Sequence, residues 1–234
     1  ALANHMLWLK GISEFTCKDS VLQKTPYSFD ASVWEFYLPL LNGGKLVIAK
    51  PDGHMDTNYL VNLVKEAGVT HIQFVPSLLR LFIDEPDITS CKSLKFIFSG
   101  GEALTSDLRD KVFDNLDTRL VNLYGPTEAT IDSVYHECER DDRLSTIPIG
   151  RPIYNMKAFV ADNKLNLLPP GIAGELILGG DGIAIGYLNN PELTSEKFLQ
   201  DSITHSKGKL YKTGDKVKFN YNGELVYLGR IDHQ

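Results

Sequence analysis

The sequence predicts an α/β protein, with a mostly parallel sheet flanked by helices and then a small antiparallel β-barrel or sandwich. Two patterns and the composition favour this class. The N-terminal half alternates short β-branched runs with helical patterns, whereas the later residues form short apolar runs separated by Gly, Pro and Asn. Of 234 residues, 43% are hydrophobic and 23% are charged, which suffices for a sizeable core. We expect an α/β subdomain over residues 1–143 and a β-rich subdomain over 144–234.

The predicted elements of the first subdomain follow one another as strand and crossover helix. A strand at 45–49 precedes a helix in which Leu60, Leu63, Val64 and Ala67 recur at i, i+3, i+4 and i+7. The remaining elements are, in order, strand 70–75, helix 77–84, strand 94–98, a helix capped by Thr105 and strand 119–123. Loops at the carboxyl ends of such strands are where parallel sheets place ligands.

The second subdomain is predicted from short strands and dense turns. The strands are expected at 156–161, 174–178 and 209–211, followed by a hairpin whose turn contains Asn222-Gly223. Because strands this short, without intervening helices, pair locally, the prediction is an antiparallel arrangement.

Composition and charge exclude several function classes. Lys and Arg number 24 against 30 Asp and Glu, a net charge of −6 without a long basic run, so we expect no nucleic-acid and no membrane partner. Cys17, Cys91 and Cys138 are widely spaced and indicate reduced thiols, and no two histidines have helical metal-ligand spacing. No apolar run approaches the about 20 residues of a bilayer span, and a signal-peptide pattern is missing. A cytoplasmic protein is expected.

Several short strings occur in a fixed order and carry unusual chemistry. Residues 122–128 read Asn-Leu-Tyr-Gly-Pro-Thr-Glu directly after a predicted strand, which places an amide, a ring, a hydroxyl and a carboxylate on one tight turn. The other strings are Phe29-Asp30-Ala31-Ser32, Gly174-Glu175-Leu176, Gly186-Tyr187-Leu188, Tyr211-Lys212-Thr213-Gly214-Asp215 and Leu228-Gly229-Arg230-Ile231-Asp232. Together they resemble the adenylation domains of nonribosomal peptide synthetases, within the adenylate-forming (AMP-binding) superfamily, over nearly the whole chain.

The resemblance implies activation of a carboxylate with ATP. A substrate oxygen attacks the α-phosphorus, pyrophosphate leaves, and the acyl-adenylate is captured by the phosphopantetheine thiol of a peptidyl carrier domain. ATP and Mg²⁺ are the implied cofactors, and an amino acid is the implied substrate. Catalysis of this kind depends mainly on positioning and on charge neutralisation around the phosphate oxygens.

The resemblance assigns nucleotide roles to specific residues. Thr127 would donate to a phosphate oxygen, and Glu128 would hold Mg²⁺, which prefers carboxylate oxygen. Tyr124 would stack on adenine, Asn122 would bond its amino edge, and Asp215 would accept from both ribose hydroxyls. Without the resemblance, Thr-Gly-Asp more often marks a surface turn.

Four more positions match the nucleotide site or the hinge. Gly101, in Ser-Gly-Gly-Glu after a strand, is assigned to the nucleotide site, because glycine has no side chain and would let backbone approach the nucleotide or the substrate. Tyr227 and Arg230 match positions at the nucleotide, although Arg230 alone would be interpreted as a solvated charge. Asp232 matches the hinge about which the family's C-terminal domain rotates.

The resemblance also implies an amino-acid pocket. Asp30 would pair with the α-ammonium of the substrate, and the alternative is that it caps a helix beginning near Ser32. By motif alignment the remaining pocket residues are Ala31, Trp34, Gln73, Phe98, Gly100, Leu123, Ile131 and Asp132. In this set Trp34, Phe98, Leu123 and Ile131 would form apolar walls, with Gly100 leaving depth.

The polar pair Gln73 and Asp132 would select the side chain of the substrate. A carboxamide could donate to Asp132 and exchange hydrogen bonds with Gln73, and leaving this pair unsatisfied would cost about 1 to 3 kcal/mol per group. Glutamine is therefore the expected substrate, and a cationic one such as arginine or ornithine is the second choice. The alternative for Gln73 is a satisfied half-buried amide of the strand.

The chain departs from the family pattern in three places. The family's phosphate loop, with its Lys, would precede Ala1, and the family's C-terminal domain, with a catalytic Lys, would follow Gln234. We therefore expect a piece of a larger synthetase that is inactive, or nearly so, alone. Ile185 stands where the family usually has Arg.

Two alternative functions remain open. One is a non-catalytic binding module that retains the pocket. The other is an acyl- or aryl-CoA ligase of the same superfamily, which Asp30 disfavours because the substrates of those enzymes lack an α-ammonium.

Overall fold

A computed structural model describes residues 1–140 and 146–231. The predicted hinge residue Asp232 therefore lies outside the described residues. The helices are α1 (Leu2–Ser13), α2 (Ala31–Leu41), α3 (Thr57–Ala67), α4 (Pro76–Ile83), α5 (Ser106–Asn115) and α6 (Pro191–Lys197). The strands are β1 (Ser20–Gln23), β2 (Lys45–Ile48), β3 (His71–Phe74), β4 (Phe96–Gly100), β5 (Arg119–Tyr124), β6 (Val134–Cys138), β7 (Arg151–Pro152), β8 (Met156–Ala161), β9 (Gly174–Gly180), β10 (Phe198–Gln200), β11 (Lys209–Phe219) and β12 (Leu225–Arg230).

The chain forms two compact units. The α/β unit comprises Met6–Leu123 and Glu137–Ile147, and the β-rich unit comprises Ala1–His5, Tyr124–His136 and Pro148–Gln234. In this division the first five residues and the segment after β5 group with the later strands, whereas the division expected from the sequence was a single cut between residues 143 and 144.

The α/β unit is built on parallel strands in the order β2-β1-β3-β4-β5. Every residue of β3 and β4 is buried, as expected for strands covered on both faces. Residues in register include Gln73 with Phe98 and Gly100 with Leu123. The mostly parallel sheet predicted from the sequence is confirmed, and its register brings candidate pocket residues of neighbouring strands together.

The helices of this unit follow from local sequence signals. Helix α3 buries Leu60, Val61 and Val64, is capped by Asp56, which accepts from the Tyr59 amide at 3.0 Å, and ends at Gly68 with φ +67°. Helix α5 differs from the prediction in one detail. Thr105 lies at its N-cap position without a side-chain capping bond, because its hydroxyl accepts from Arg80 Nη2 at 3.1 Å.

The β-rich unit contains an antiparallel sheet in the order β10-β11-β9-β8, with β12 paired to β11. Its antiparallel character is as predicted. Strand β11 is much longer than predicted because it continues through Thr213-Gly214-Asp215 to Phe219. The hairpin that joins it to β12 turns at Gly223, whose φ is +76°. Among the described residues no helix is long and apolar enough to cross a membrane.

Candidate functional site

The loop after β5 folds back tightly within the β-rich unit. The Ser133 amide donates to the Tyr124 carbonyl at 2.9 Å. A Cβ atom at Gly125 would lie 2.2 Å from the Ile131 carbonyl oxygen and 2.7 Å from Asp132 Cα, so no side chain fits there. The missing side chain of Gly125 thus lets two candidate pocket residues, Ile131 and Asp132, lie beside the Gly-Pro turn.

Two β-branched residues of this loop adopt left-handed backbone conformations. Thr130 has φ +65° and Ile131 has φ +69°, which costs about 1 to 2 kcal/mol per non-glycine residue. The surrounding contacts hold this conformation: Thr130 Oγ1 donates to the Gly182 carbonyl at 2.7 Å, and the Ala184 amide donates to the Glu128 carbonyl at 2.8 Å. Such strain is typical of functional loops.

The two candidate catalytic residues lie on a short 3₁₀ turn, Thr127–Ala129. Thr127 is exposed, whereas Glu128 is half-buried. The Tyr187 hydroxyl donates to Glu128 Oε1 at 2.6 Å, and the Tyr211 hydroxyl lies 3.4 Å from that of Tyr187. Burial raises the pKa of both tyrosines, and the neighbouring Glu128 carboxylate adds to the effect. Glu128 is therefore held at Oε1 by the neutral hydroxyl of Tyr187.

Tyr124 and Asp215, which the sequence assigned to adenine and ribose, are in direct contact. The Tyr124 hydroxyl donates to Asp215 Oδ2 at 2.5 Å. Burial raises the pKa of Tyr124 well above its usual value, and the charge of Asp215 raises it further. The phenol is thus a permanent donor that fixes the carboxylate.

A β-bulge in β11 places Asp215. The register of β11 shifts between Lys212 and Lys216 against β9, and again between Asp215 and Val217 against β12. Within the bulge the Asp215 amide donates to Thr213 Oγ1 at 3.0 Å, and Gly214 has φ +74°. Bulges redirect side chains and recur beside active sites. Thr-Gly-Asp is therefore part of a long strand and not a surface turn.

Arg230 and Tyr227 reach the same carboxylate from β12. Arg230 Nη1 lies 3.3 Å from Asp215 Oδ1 and donates to the Thr213 carbonyl at 2.9 Å, so this residue is not a solvated charge. The Tyr227 ring lies 6.4 Å from the Tyr124 ring, centroid to centroid. The β-rich unit thus brings four of the predicted nucleotide residues into one cluster.

Asp30, the predicted ammonium partner, lies in the α/β unit at the N-terminus of α2. It occupies the N-cap position, but its side chain makes no capping hydrogen bond. Its Oδ2 atom is buried and accepts no hydrogen bond from any residue that the structure describes. A buried carboxylate oxygen without a donor is costly. The helix-cap alternative therefore does not account for this side chain.

Three pocket candidates of the α/β unit form one contact group. The Trp34 indole donates to Gln73 Oε1, and the Trp34 ring meets the Phe98 ring edge-on at 5.2 Å. Trp34 and Phe98 are fully buried, and Gln73 is 7% exposed. The Trp34 indole fixes the orientation of the Gln73 amide through Oε1, and the NH₂ group remains to donate.

The remaining candidates lie along the ends of the strands and of α2. Leu123 is buried, and a Cβ atom at Gly100 would lie only 3.1 Å from its carbonyl oxygen. Gly101 is exposed with φ +86°, and Asn122 is buried. Ala31 is the first residue of α2. Each unit therefore assembles its own share of the predicted site.

A family model described as "AMP-binding enzyme" matches residues 1–188. The chain belongs to this family. The relatives and solved structures described next confirm the resemblance to synthetase adenylation domains, and the match to a solved nonribosomal peptide synthetase confirms the fold class.

The relatives within the AMP-binding family include synthetases much longer than this chain, which spans less than half of each protein named here. The chain is 50% identical to Tyrocidine synthase 3 of Brevibacillus parabrevis over all 234 residues, which span 4% of that protein. It matches the crystal structure of the nonribosomal peptide synthetase FmoA3 with a TM-score of 0.91 and 29% identity, covering 97% of this chain and 25% of the other. It also matches the Vibrio cholerae adenylation domain AlmE, solved with glycyl-adenosine-5'-phosphate, with a TM-score of 0.85 and 28% identity, covering 98% and 44%.

The donor set fits a metal that arrives with the nucleotide of an AMP-binding enzyme. Among residues 1–140 and 146–231, no three His, Cys, Asp or Glu side chains form a metal-binding group. Glu128 contributes one carboxylate, and Tyr187 occupies only its Oε1 atom. Mg²⁺ commonly takes one or two carboxylates and completes its shell with phosphate and water.

Sequence reasoning missed a buried residue that holds the segment leading to Asp30. Glu35 on α2 is fully buried and accepts from the Lys24 amide at 3.1 Å and from the Thr25 amide at 3.0 Å, and from Thr25 Oγ1 at 2.6 Å. Burial raises the pKa of Glu35 and lowers the pKa of the adjacent Lys24. No sequence motif marks a glutamate that accepts hydrogen bonds from a preceding loop in this way. Only the fold therefore reveals the role of Glu35.

His5 was also missed. Its Nε2 atom lies 2.9 Å from Asp132 Oδ2, and both residues are buried. The two positions are 127 residues apart, and no local pattern connects them.

Proposed function

We propose that the chain forms part of an amino-acid-activating adenylation domain, which joins an α-amino acid to AMP at the expense of ATP. The carboxylate of Asp30 carries this proposal. Its buried Oδ2 lacks a donor among the described residues, and an α-ammonium supplies both charge and hydrogen-bond donors. The substrates of an acyl- or aryl-CoA ligase have no α-ammonium to pair with a carboxylate at this position.

In the proposed reaction, the substrate carboxylate attacks the α-phosphorus of ATP and pyrophosphate departs. Thr127 donates its hydroxyl to a phosphate oxygen, and Glu128 binds Mg²⁺, which neutralises phosphate charge when bound. Asp215 accepts from the ribose hydroxyls, since each carboxylate oxygen has a second lone pair beyond those engaged by Tyr124 and Arg230. Tyr124 and Tyr227 offer ring faces to adenine, Asn122 bonds its amino edge, and the exposed Gly101 backbone leaves room beside it.

The proposed substrate is glutamine. Its methylenes would meet the apolar side chains of Trp34, Phe98, Leu123 and Ile131. Gln73 supports a carboxamide because the Trp34 indole occupies Oε1 and leaves the NH₂ group to donate to the substrate carbonyl. Asp132 would accept from the substrate NH₂ group. A cationic substrate satisfies Asp132 but offers no acceptor to Gln73, which ranks it second.

The product is proposed to pass to a phosphopantetheine thiol on a peptidyl carrier domain of the same synthetase. Three points stay predictions: the hinge role of Asp232, the cytoplasmic location and the inactivity of the isolated 234 residues. Activity is therefore to be measured on the complete adenylation domain that contains this chain.

The test is amino-acid-dependent exchange of pyrophosphate into ATP, with all twenty amino acids. We expect glutamine to give the highest rate and Asp30→Ala to abolish exchange while ATP binding persists. Asp52→Asn is the matched control, because it removes one carboxylate charge from an exposed residue of the same unit. It should leave the rate unchanged.

Other outcomes separate the alternatives. ATP binding without exchange for any amino acid would establish the binding module instead. If aryl or acyl acids drive the exchange and Asp30→Ala does not affect it, the alternative function of a CoA ligase would be established. Preference for leucine or phenylalanine would refute the glutamine assignment alone.

A further inference from the structure

His5 and Asp132 form a buried pair within the β-rich unit. His5 is 1% exposed and Asp132 is 5% exposed, and their Nε2 and Oδ2 atoms lie 2.9 Å apart. His5 belongs to α1, whose first turn is fixed by the neighbouring Asn4: its Nδ2 donates to the Tyr154 carbonyl at 2.6 Å, and its Oδ1 accepts from Asn155 at 2.8 Å. The imidazole therefore approaches the carboxylate from a helix that is independently anchored.

The oxygens of Asp132 are not equivalent. Oδ2 is engaged by His5, whereas no residue that the structure describes donates to Oδ1. An ionised carboxylate only accepts hydrogen bonds, so His5 donates from Nε2 when Asp132 is charged. The imidazole thereby fixes the plane of the carboxylate and leaves one oxygen for another donor.

We infer that His5 is a positioning residue that sets side-chain selectivity through Asp132, and that it favours an amide over a carboxylate in the substrate. This inference rests on the proposed function. His5 is the one hydrogen-bonding partner of Asp132 among residues 1–140 and 146–231, and a buried carboxylate that loses its donor is destabilised. Without the His5 donor the Asp132 carboxylate would no longer be held in this orientation, which would weaken the repulsion that excludes glutamate.

The test compares glutamine with glutamate in the exchange assay on the complete adenylation domain. In the parent, glutamine should be strongly preferred. His5→Phe keeps a planar ring but removes the donor, and it should lower the ratio of kcat/KM for glutamine over glutamate by about tenfold to a hundredfold, the range for a hydrogen bond to a charged group. The KM for ATP should not change.

Three further variants distinguish positioning from a general structural role. His5→Gln restores a side-chain donor and should recover most of the selectivity. Asn4→Ala loosens the anchor of the same helical turn but keeps the imidazole, so it should lower the ratio much less than His5→Phe does. In an Asp132→Asn background, His5→Phe should change the ratio no further, because coupled residues are non-additive.

Each outcome decides the inference. A glutamine-to-glutamate ratio that His5→Phe leaves unchanged overturns it while the proposed function stands. An equal loss in Asn4→Ala and His5→Phe overturns it as well, since disruption of α1 would then be the cause. A parent domain that does not prefer glutamine refutes the substrate proposal and this inference with it.

Discussion

The hydroxyl of Tyr187 donates a hydrogen bond to Glu128 Oε1 at 2.6 Å. One residue lies in Gly-Tyr-Leu before α6 and the other on the turn after β5, so two separate motifs meet at one carboxylate. Because Oε1 is engaged, the orientation of Glu128 is set before any cation binds.

Tyr187→Phe should therefore weaken the use of Mg²⁺. Removing the donor frees the Glu128 side chain to rotate. We therefore expect the Mg²⁺ concentration for half-maximal exchange to rise about tenfold, the effect expected from losing one hydrogen bond to a charged group. Magnesium titrations of the exchange rate measure this. Tyr221→Phe, at a residue 93% exposed, is the control. An unchanged magnesium requirement would show that Glu128 does not hold the metal or does not need Tyr187.

Asp215→Asn should weaken ATP binding without altering the choice of amino acid. The substitution removes the charge that Arg230 faces and one acceptor for the ribose. We expect the KM for ATP to rise about tenfold or more, the effect of losing a charge-assisted hydrogen bond. Asp181→Asn, on an exposed residue of the same unit, provides the comparison. A shift in amino-acid preference, with ATP binding intact, would contradict the assignment.

His71 should make the protein less stable in mild acid. Burial between Phe15 and Phe96 lowers the pKa of His71 to about 4, whereas unfolded histidine titrates near 6.5. Between pH 6.5 and 4, the unfolded state therefore binds a proton at His71 that the folded state does not bind. Stability from this group is complete above pH 6.5 and falls by about 3 kcal/mol as the pH drops to 4.

Urea unfolding between pH 7.5 and 4 measures this dependence. His71→Phe should flatten the slope relative to the parent, and His205→Gln, at an exposed histidine, should leave it unchanged. Equal slopes in the parent and His71→Phe would mean that another group causes the acid sensitivity.

Gly125→Ala should damage the loop that carries Ile131 and Asp132. The added Cβ would lie 2.2 Å from the Ile131 carbonyl oxygen, and forcing backbone apart in a packed region costs about 1 to 3 kcal/mol. We expect a lower melting temperature and loss of amino-acid selectivity together. Gly208→Ala, whose nearest neighbour is Ser206 Oγ at 3.3 Å, should have little effect. Parent-like behaviour of Gly125→Ala would show that the loop can relax.

Regular elements were predictable because their signals are local. The 3.6-residue spacing of Leu60 and Val64 specified α3, and the strand predicted at 156–161 coincides with β8 (Met156–Ala161). The extent of β11 was not predictable, because Gly214 is a usual turn residue and only pairing on both sides shows that it forms a bulge.

The site was predictable where motifs exist and unpredictable where partners are distant. Asp215 and Tyr124 were recognised from their strings, but their mutual hydrogen bond spans 91 residues. His5 and Tyr187 contact recognised residues, and Glu35 holds the segment before Asp30, through contacts that no spacing in the sequence reveals. Supporting groups of this kind emerge only from the tertiary structure.

The left-handed conformation of Ile131 links the width of the proposed pocket to the folding free energy. Shortening Ile131 to glycine would relieve an unfavourable torsion while discarding buried hydrocarbon, so the two contributions oppose each other. Valine would keep the torsional cost and lose packing as well. To admit bulkier substrates, replacing Ile131 by glycine or asparagine should therefore cost less folding free energy than replacing it by a smaller β-branched residue.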